Sequence, residues 1–402
     1  MRGGVAVVLS SPTDARSLLA VASELRARGI AVQVFVLGGP GSDAVRALAR
    51  AAGPEPPVIG KDASLDATRL LRATHPVVVV IGADCLYFTA RLIEAARKEG
   101  IRTVLVQEAA NEIVPLLEVR KPLTALLRQP ARAWFRIRTQ LANRDAFSLF
   151  ALAAPTLFGR VRQVHGYGFG DVDVFCVATE RVGEAYRARG ARARRIVATG
   201  IPELVPTIAL QRVEYDYLLL TQPFDVGGFA PHGWKQAFFR NLVRLLRAVS
   251  PRARILCKVH PTEREDEYED LGVTDFSNDL ATAIARSDVV VSVHSAALCA
   301  AIANGRPAIA YVPPALCANT ENMIVAEMSR LGLLVSEDEA FAALLRRLTH
   351  DRSSVWDPAA ARAAFGLCLD ARAAQRVADL VETEISIAAA SLGGRSVPIP
   401  SF

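Results

Sequence analysis

The feature that most constrains this sequence is a repeating order of short apolar runs and longer amphipathic segments. Residues 5–9 are apolar and rich in β-branched side chains, 15–28 has helical periodicity, and a second apolar run follows at 31–37. The same order returns within 77–106 and within 172–199. Short strands that alternate with helices indicate parallel β-sheets joined by crossover helices. The sequence therefore predicts an α/β fold.

A second series of the same kind begins after residue 212. Between 201 and 212 the periodicity is lost and Pro206 appears, which is typical of a linker. A chain of 402 residues also exceeds one ordinary hydrophobic core. We therefore predict two Rossmann-like α/β domains that face one another across a cleft. The expected segments are 1–207, 213–380 and a helix with a tail at 381–402, and the periodic stretch 359–390 is expected to pack back across the first domain.

The charge balance argues against a dedicated nucleic-acid-binding protein. Lys and Arg (47) exceed Asp and Glu (41) by a formal charge of only +6, and aromatic residues make up 6%. This mild excess favours an anionic substrate or a membrane surface. The six cysteines lack zinc-ligand spacing, which is typical of reduced thiols in a cytoplasmic protein. No apolar run reaches the ~18 residues of a membrane span, and the first run is better explained as a strand than as a signal peptide.

The segment 116–162 differs in composition from the rest of the chain. Basic residues such as Arg132 and Arg136 alternate there with apolar ones such as Trp134 and Phe135. Two interpretations remain open. The segment forms surface helices that pack on the first domain, or it forms basic amphipathic helices that lie on anionic lipid at the inner face of the membrane.

Polar residues follow the predicted strands of the second domain, where open α/β sheets bind ligands. Lys258 and His260 lie two residues apart at the end of the strand 255–259, so their side chains point the same way, and Pro261 stiffens the exit. A Lys and a His so placed can bind a phosphate. The alternative is a structural histidine whose ring is hydrogen-bonded to the backbone.

Further candidates follow the neighbouring strands. Ser292, His294 and Ser295 stand where a strand enters the helix 296–304, and free N–H groups with hydroxyls there suit an anion, although Ser295 as a plain N-cap is an alternative. Thr221 and Gln222 follow the domain's first strand, either near a nucleotide or in an ordinary turn. Glu321 is a candidate acceptor for two ribose hydroxyls, or part of a helix cap.

The first domain supplies candidate general bases after its strands. Asp14, Asp84 and Glu108 carry carboxylates at such positions, with Gln107 beside the last of them. Asp14 also suits the capping of its own helix. No Asp-x-Asp pair follows a strand, so we expect no metal ion at the site.

The order strand, Lys-x-His-Pro, strand, Ser-x-His-Ser-Ala-Ala-Leu, helix, Gly-Arg-Pro-Ala-Ile resembles the second half of GT-B glycosyltransferases that make bacterial surface polysaccharides. The likeness is to capsule sialyltransferases, Kdo transferases and polyglycerolphosphate transferases. It implies that His260 and Pro261, with Ser292 and Ser295, hold the phosphate and ribose of a cytidine nucleotide. One departure is that the helix after the Ser motif lacks the acidic residue that such proteins often carry.

The resemblance implies a metal-independent glycosyltransferase that needs no cofactor. Its donor is a nucleotide sugar, with a CMP-sugar favoured over a UDP-sugar, and its acceptor is a surface glycan or lipid-linked. Lys258 and His294 would join the phosphate site, and Asp14 or Glu108 would deprotonate the acceptor. One alternative is an enzyme like UDP-N-acetylglucosamine 2-epimerase, which has the same fold. Another is a non-catalytic subunit of a polysaccharide assembly.

Overall fold

The computed structural model separates the chain into two compact units, Met1–Glu203 together with Ala371–Phe402, and Leu204–Asp370. The predicted basic helical insert at 116–162 lies outside the described residues. The structure describes residues 4–38, 42–59, 66–107, 167–202, 209, 211–222, 234–260, 263–313 and 323–393.

The first unit is built on a parallel sheet. Its strands are β1 (Val5–Leu9), β2 (Val32–Leu37), β3 (Val58–Ile59), β4 (Val78–Ile81), β5 (Arg102–Val106), β6 (Val174–Val177) and β7 (Arg195–Ala198). Within the described residues they lie in the order β3-β2-β1-β4-β5-β6-β7, and every pairing is parallel. This is the strand order of the Rossmann fold.

Helices connect these strands and cover the sheet. They are α1 (Pro12–Ala27), α2 (Ser42–Ala51), α3 (Asp66–Thr74), α4 (Tyr87–Glu99) and α5 (Glu180–Ala188). The strands β1 and β4 are buried along their whole length, which agrees with apolar residues at every position and helices on both faces. The first helix begins earlier than the predicted residue 15, because Ser11 and Asp14 form a capping box around Pro12.

The second unit repeats the architecture. Its strands are β8 (Tyr215–Leu220), β9 (Ile255–Lys258), β10 (Asp275–Ser277), β11 (Ser287–Ser292), β12 (Ala308–Tyr311) and β13 (Leu334–Val335). In the part of the unit that the structure describes, they pair in parallel in the order β10-β9-β8-β11-β12-β13. The helices are α6 (Trp234–Val249), α7 (Leu280–Arg286), α8 (Ala297–Ala303), α9 (Met323–Arg330), α10 (Asp338–His350) and α11 (Pro358–Phe365). The prediction of two Rossmann-like α/β domains is therefore confirmed.

The predicted helix at 359–390 is two helices, α11 and α12 (Ala373–Gly393). They are separated by a 3-10 turn, Gly366–Leu369, in which Gly366 has a φ of +51°. The boundary predicted at residue 380 falls inside α12, and the division between the units lies at 370/371 instead. The reason is packing, because α12 lies against α1, β4 and β5 of the first unit. Its Val377 and Val381 belong to the hydrophobic core of that unit.

A buried carboxylate also ties α12 to the sheet. Glu384 is fully buried, and its two oxygens contact the guanidinium groups of Arg102 at 2.6 Å and Arg195 at 3.2 Å. These arginines are the first residues of β5 and β7. The helix is thereby joined to the amino ends of two strands by paired charges as well as by apolar contacts.

Among the described residues, no helix combines the length and apolarity needed to cross a lipid bilayer.

We expect Glu384→Ala to lower the free energy of unfolding by about 3 kcal/mol, the low end of the range for a broken buried ion pair, since the arginines are partly solvated. Urea denaturation followed by circular dichroism measures the change. Asp379→Ala is the matched control on the same helix, because Asp379 is 65% exposed in its pair with Arg28 and should cost less than about 1 kcal/mol. Equal losses in the two variants would contradict a structural role for Glu384.

Candidate functional site

The strand order of the second unit reverses between β8 and β11. β9 and β10 lie on one side of β8, whereas β11, β12 and β13 lie on the other. Ligands of open α/β sheets bind beyond the carboxyl ends of the strands at such a reversal. The residues that leave these strand ends are Thr221 and Gln222 after β8, His260 after β9 and His294 after β11.

The end of β8 is hydrogen-bonded to the end of β9. The Thr221 N–H donates to the Lys258 carbonyl at 3.1 Å and continues the ladder of the sheet by one residue. The His260 N–H donates to the Thr221 hydroxyl oxygen at 2.9 Å. Thr221 is buried and His260 is half-buried. The backbone that carries the imidazole of His260 is therefore attached to the neighbouring strand end.

The end of β8 is also hydrogen-bonded to the end of β11. The His294 N–H donates to the side-chain amide oxygen of Gln222 at 3.1 Å. The hydroxyl of buried Ser292 donates to the Leu220 carbonyl at 3.3 Å. Residues Thr221 and Gln222 thus lie between the two histidine segments and contact one each. The structure brings together five of the predicted site residues, which are Thr221, Gln222, His260, Ser292 and His294.

Burial keeps both histidines neutral near pH 7. It lowers the pKa of the His294 imidazole from its ordinary value of 6.5 to about 4. Burial also lowers the pKa of His260, where nearby Glu263 acts in the opposite direction and Lys258 adds to the decrease. A neutral imidazole has one N–H donor, so each ring can donate a hydrogen bond to a phosphate without carrying a charge.

Two predicted phosphate ligands make local contacts. The Lys258 ammonium donates to the carbonyl of the next residue, Val259, at 2.6 Å. The Ser295 hydroxyl accepts a hydrogen bond from the Ala297 N–H at 3.2 Å. The helix α8 starts one residue later than predicted and has Ala296 as its N-cap, so Ser295 precedes the cap instead of occupying it.

A buried ion pair beneath this strand edge was not predicted. The Glu263 carboxylate accepts from the Lys235 ammonium at 2.8 Å, from the Tyr268 hydroxyl at 2.6 Å and from the Thr221 hydroxyl at 2.6 Å. The exposed side-chain fractions of Lys235 and Glu263 are 3% and 2%. Lys235 also contacts Glu267 at 2.9 Å. Glu267 itself is exposed, and we call Lys235, Glu263 and Tyr268 the buried charge cluster.

Charges in this cluster are paired as burial requires. Burial and the bond to Glu263 raise the pKa of Tyr268 far above its ordinary value, so its hydroxyl stays protonated and remains a donor. The Lys235 ammonium also lies 5.4 Å from the centre of the Tyr268 ring. The sequence signal for this cluster is weak, because Lys235 and Glu263 come from distant segments and neither belongs to a motif.

In the first unit Asp14 is buried at the start of α1. Its carboxylate accepts from the N–H groups of Ser10 and Ser11 and from the Ser10 hydroxyl. Burial raises the pKa of Asp14 to about 6, against the hydrogen bonds from both serines, which lower it. The contacts give Asp14 the capping role that the sequence analysis left open. Its part as a base remains a prediction.

The other described candidates of the first unit also hold backbone segments. The Asp84 carboxylate accepts from the N–H groups of Gly168 at 2.9 Å and Gly170 at 2.6 Å. The Gln107 amide oxygen accepts from the Ala178 N–H at 2.8 Å. An added Cβ at Gly170 would approach Asp84 Oδ2 to 2.7 Å, so a glycine is needed there. Glu108, Pro261 and Glu321 lie outside the described residues.

Among the side chains that the structure describes, no group of three or more His, Cys, Asp or Glu residues is arranged to hold a metal ion.

No protein-family model and no curated protein matches this sequence. Solved structures do share its architecture. A UDP-GlcNAc 2-epimerase from Neisseria meningitidis bound to UDP-GlcNAc superposes with a TM-score of 0.57 at 12% identity, over 94% of this chain and 100% of that one. The spinosyn forosaminyltransferase gives 0.54 at 14% identity, over 96% and 100%. The Anabaena protein HepE in complex with UDP and glucose gives 0.56 at 13% identity, over 95% and 100%. Identities this low show a common fold alone, which is the two-domain GT-B type.

The lowered pKa of the half-buried His294 imidazole predicts a pH-dependent stability. Between pH 6.5 and about 4 the unfolded chain binds a proton at this residue and the folded chain does not, so the contribution of His294 to the free energy of unfolding falls by about 3 kcal/mol as the pH falls. The carboxyl group of Asp14, whose pKa is raised from 3.8 to about 6, contributes in the opposite direction over nearly the same window. The prediction therefore concerns the difference between two proteins: in urea denaturation at a series of pH values, His294→Gln should lose about 3 kcal/mol less than the wild type between pH 6.5 and about 4. His350→Gln changes an exposed histidine and should leave the slope as it is; an unchanged slope in His294→Gln would exclude the assignment.

Proposed function

We propose that this protein is an enzyme that acts on a nucleotide-activated sugar, and specifically a glycosyltransferase. The observation that carries the proposal is the pair of bonds from His260 N–H to Thr221 and from His294 N–H to Gln222. They attach two histidine segments to one strand end at the reversal of strand order, which is where Rossmann-like sheets bind nucleotides.

In the proposed reaction, neutral imidazole rings donate hydrogen bonds to the phosphate of the sugar donor. Transfer of the sugar leaves negative charge on the departing phosphate oxygen, and the imidazole N–H groups of His260 and His294 would stabilise that charge. A half-buried site strengthens such hydrogen bonds because water competes less for the phosphate. Ser295 and Lys258 stay proposed contributors to nucleotide binding, as do Pro261 and Glu321. Ser292, whose hydroxyl donates to the Leu220 carbonyl, would contribute by holding the end of β11 against β8. In this proposal Thr221 and Gln222 act mainly by holding the two histidine segments.

For the donor we propose a uridine diphosphate sugar first and a CMP-sugar second. The sequence resemblance favours cytidine, but two proteins of the same fold were solved with UDP or UDP-GlcNAc bound. The proposed acceptor is a surface glycan or a lipid-linked saccharide. Contact with the membrane through the basic segment 116–162 is part of the same proposal, with the protein at the cytoplasmic face.

A nucleotide-sugar 2-epimerase is the second candidate, because an epimerase bound to UDP-GlcNAc is among the structures that share the fold. The two activities differ in their need for an acceptor. An epimerase converts UDP-GlcNAc without any acceptor, whereas a transferase releases nucleotide in step with acceptor glycosylation. A protein that binds no nucleotide and turns over no donor would support the non-catalytic subunit instead.

The nucleotide proposal is tested by thermal unfolding in the presence of UDP, CMP, GDP and AMP. A ligand that binds only the folded state stabilises it by about 2.7 kcal/mol at 100 times its dissociation constant. We expect the largest rise in Tm with UDP. A larger rise with CMP would favour the cytidine donor, and no rise with any nucleotide would contradict the proposal.

His260→Ala should lower turnover by about 10²–10³-fold, the usual loss when one donor to developing charge is removed. Its Tm should change little, since the ring is only half-buried. His350→Ala, at an exposed histidine on α10, is the control and should retain turnover. A large drop in Tm for His260→Ala would instead indicate that the ring is structural.

The two candidate bases are separated by isosteric amides. Glu108→Gln should lower turnover by about 10²–10⁴-fold, the range for loss of a general base. Asp14→Asn should affect Tm more than turnover, because the carboxylate of Asp14 serves the helix cap. Steady-state rates and thermal unfolding of both variants decide between them, and the reverse pattern would make Asp14 the base.

A further inference from the structure

The Thr221 hydroxyl connects the carboxylate of the buried charge cluster to the backbone of His260. Thr221 Oγ1 lies 2.6 Å from Glu263 Oε2 and 2.9 Å from the His260 nitrogen. A carboxylate only accepts hydrogen bonds and a backbone N–H only donates. The direction of both bonds is therefore fixed: the hydroxyl donates its one proton to Glu263 and accepts from His260.

The directions of these two hydrogen bonds give Thr221 a role other than binding a phosphate. Because its only proton is used by Glu263, the hydroxyl has none left to donate to a phosphate oxygen. A hydroxyl that accepts from the His260 backbone instead fixes the position of that residue. The sequence predicts that Thr221 lies near a nucleotide or in an ordinary turn, whereas its hydrogen bonds make it a link between Glu263 and His260.

Glu263 also forms a direct hydrogen bond with the backbone of His260. The Glu263 N–H donates to the His260 carbonyl at 2.9 Å. Both polar backbone groups of His260 are thus held, the N–H by Thr221 and the carbonyl by Glu263. Glu263 in turn is oriented by Lys235 and Tyr268, which both contact its Oε1 while Oε2 faces Thr221. Each carboxylate oxygen has its own partners, so the group has little freedom to rotate.

We infer that Glu263, oriented by Lys235, is a positioning residue that sets the place of the His260 imidazole through the Thr221 hydroxyl. The inference rests on the proposed function for its catalytic consequence. The positioning itself is a property of the protein without ligand. A buried ion pair is costly to desolvate and often adds little stability over apolar residues of the same volume, which agrees with a role in geometry.

Two substitutions at residue 221 test the link. Thr221→Val keeps the shape and removes the hydroxyl, while Thr221→Ser keeps the hydroxyl. Thr221→Val should lower kcat by about 100-fold, the scale of a 1 Å displacement of a reacting group, with a much smaller change in KM. Thr221→Ser should keep kcat near the wild-type value, because it keeps the hydroxyl. Equal losses in the two variants would overturn the inference.

A double-mutant cycle tests the path from the ion pair. The combined change Lys235→Met and Glu263→Leu removes both charges together, which spares the fold an unpaired buried charge. It should lower kcat, and adding Thr221→Val should cause little further loss, because the same path is already broken. Losses that multiply would show that the pair and the hydroxyl act independently and would overturn the inference. Asp266→Asn, an exposed acidic residue in the 3-10 helix Glu265–Leu271, is the control and should change nothing.

A spectroscopic measurement separates this inference from the proposed function. The ring-proton NMR signal of His260, assigned by its loss in His260→Ala, is recorded in the protein without ligand. It should shift in Thr221→Val and in the double variant but not in Thr221→Ser or Asp266→Asn. If no nucleotide sugar is turned over, the proposed function fails and these shifts alone decide the positioning. An unmoved His260 signal in Thr221→Val would overturn the positioning whatever the turnover.

Discussion

The parallel pairing of β8 with β9 on one side and β11 on the other is the constraint on which the proposed site depends. Leu220 pairs with Lys258, and Val291 pairs with Leu219, so the three carboxyl ends lie at one edge of the sheet. A shift of one residue in β8 would turn Thr221 to the opposite face and separate it from both Glu263 and His260. The same shift would bring the exposed Asp216 into the place of buried Tyr217, and the cost of burying its carboxylate opposes the shift.

Much of the fold follows from the sequence because periodicity and packing agree. The apolar run at 5–9 is β1, and the runs predicted at 31–37 and 255–259 each exceed β2 and β9 by one residue. The position of the candidate site was predictable for the same reason, since polar residues that follow an apolar strand must lie at its carboxyl edge. That reasoning predicted the placement of His260 and His294 at this edge, and their role as ligands stays a prediction. The Ser11 to Asp14 segment likewise carries its capping box in the sequence itself.

The parts that were not predicted depend on contacts between distant segments. Lys235 and Glu263 meet only after α6 packs beside the end of β9, and no local pattern marks a buried ion pair. The side-chain rotamer in which Lys258 donates to the Val259 carbonyl likewise cannot be predicted from the sequence. The boundary at 370 was missed because α12 resembles a continuation of α11, whereas its apolar face completes the core of the other unit.

The return of α12 to the first unit has a consequence for biosynthesis. The second unit, Leu204–Asp370, is an insertion within the first, whose sheet lacks part of its cover until Ala373–Gly393 has been translated. Domains fold as units during synthesis. The inserted unit is therefore translated in full before Val377 and Val381, which belong to the core of the first unit. The amino-terminal part of the polypeptide can complete its hydrophobic core only after the inserted unit has been synthesised.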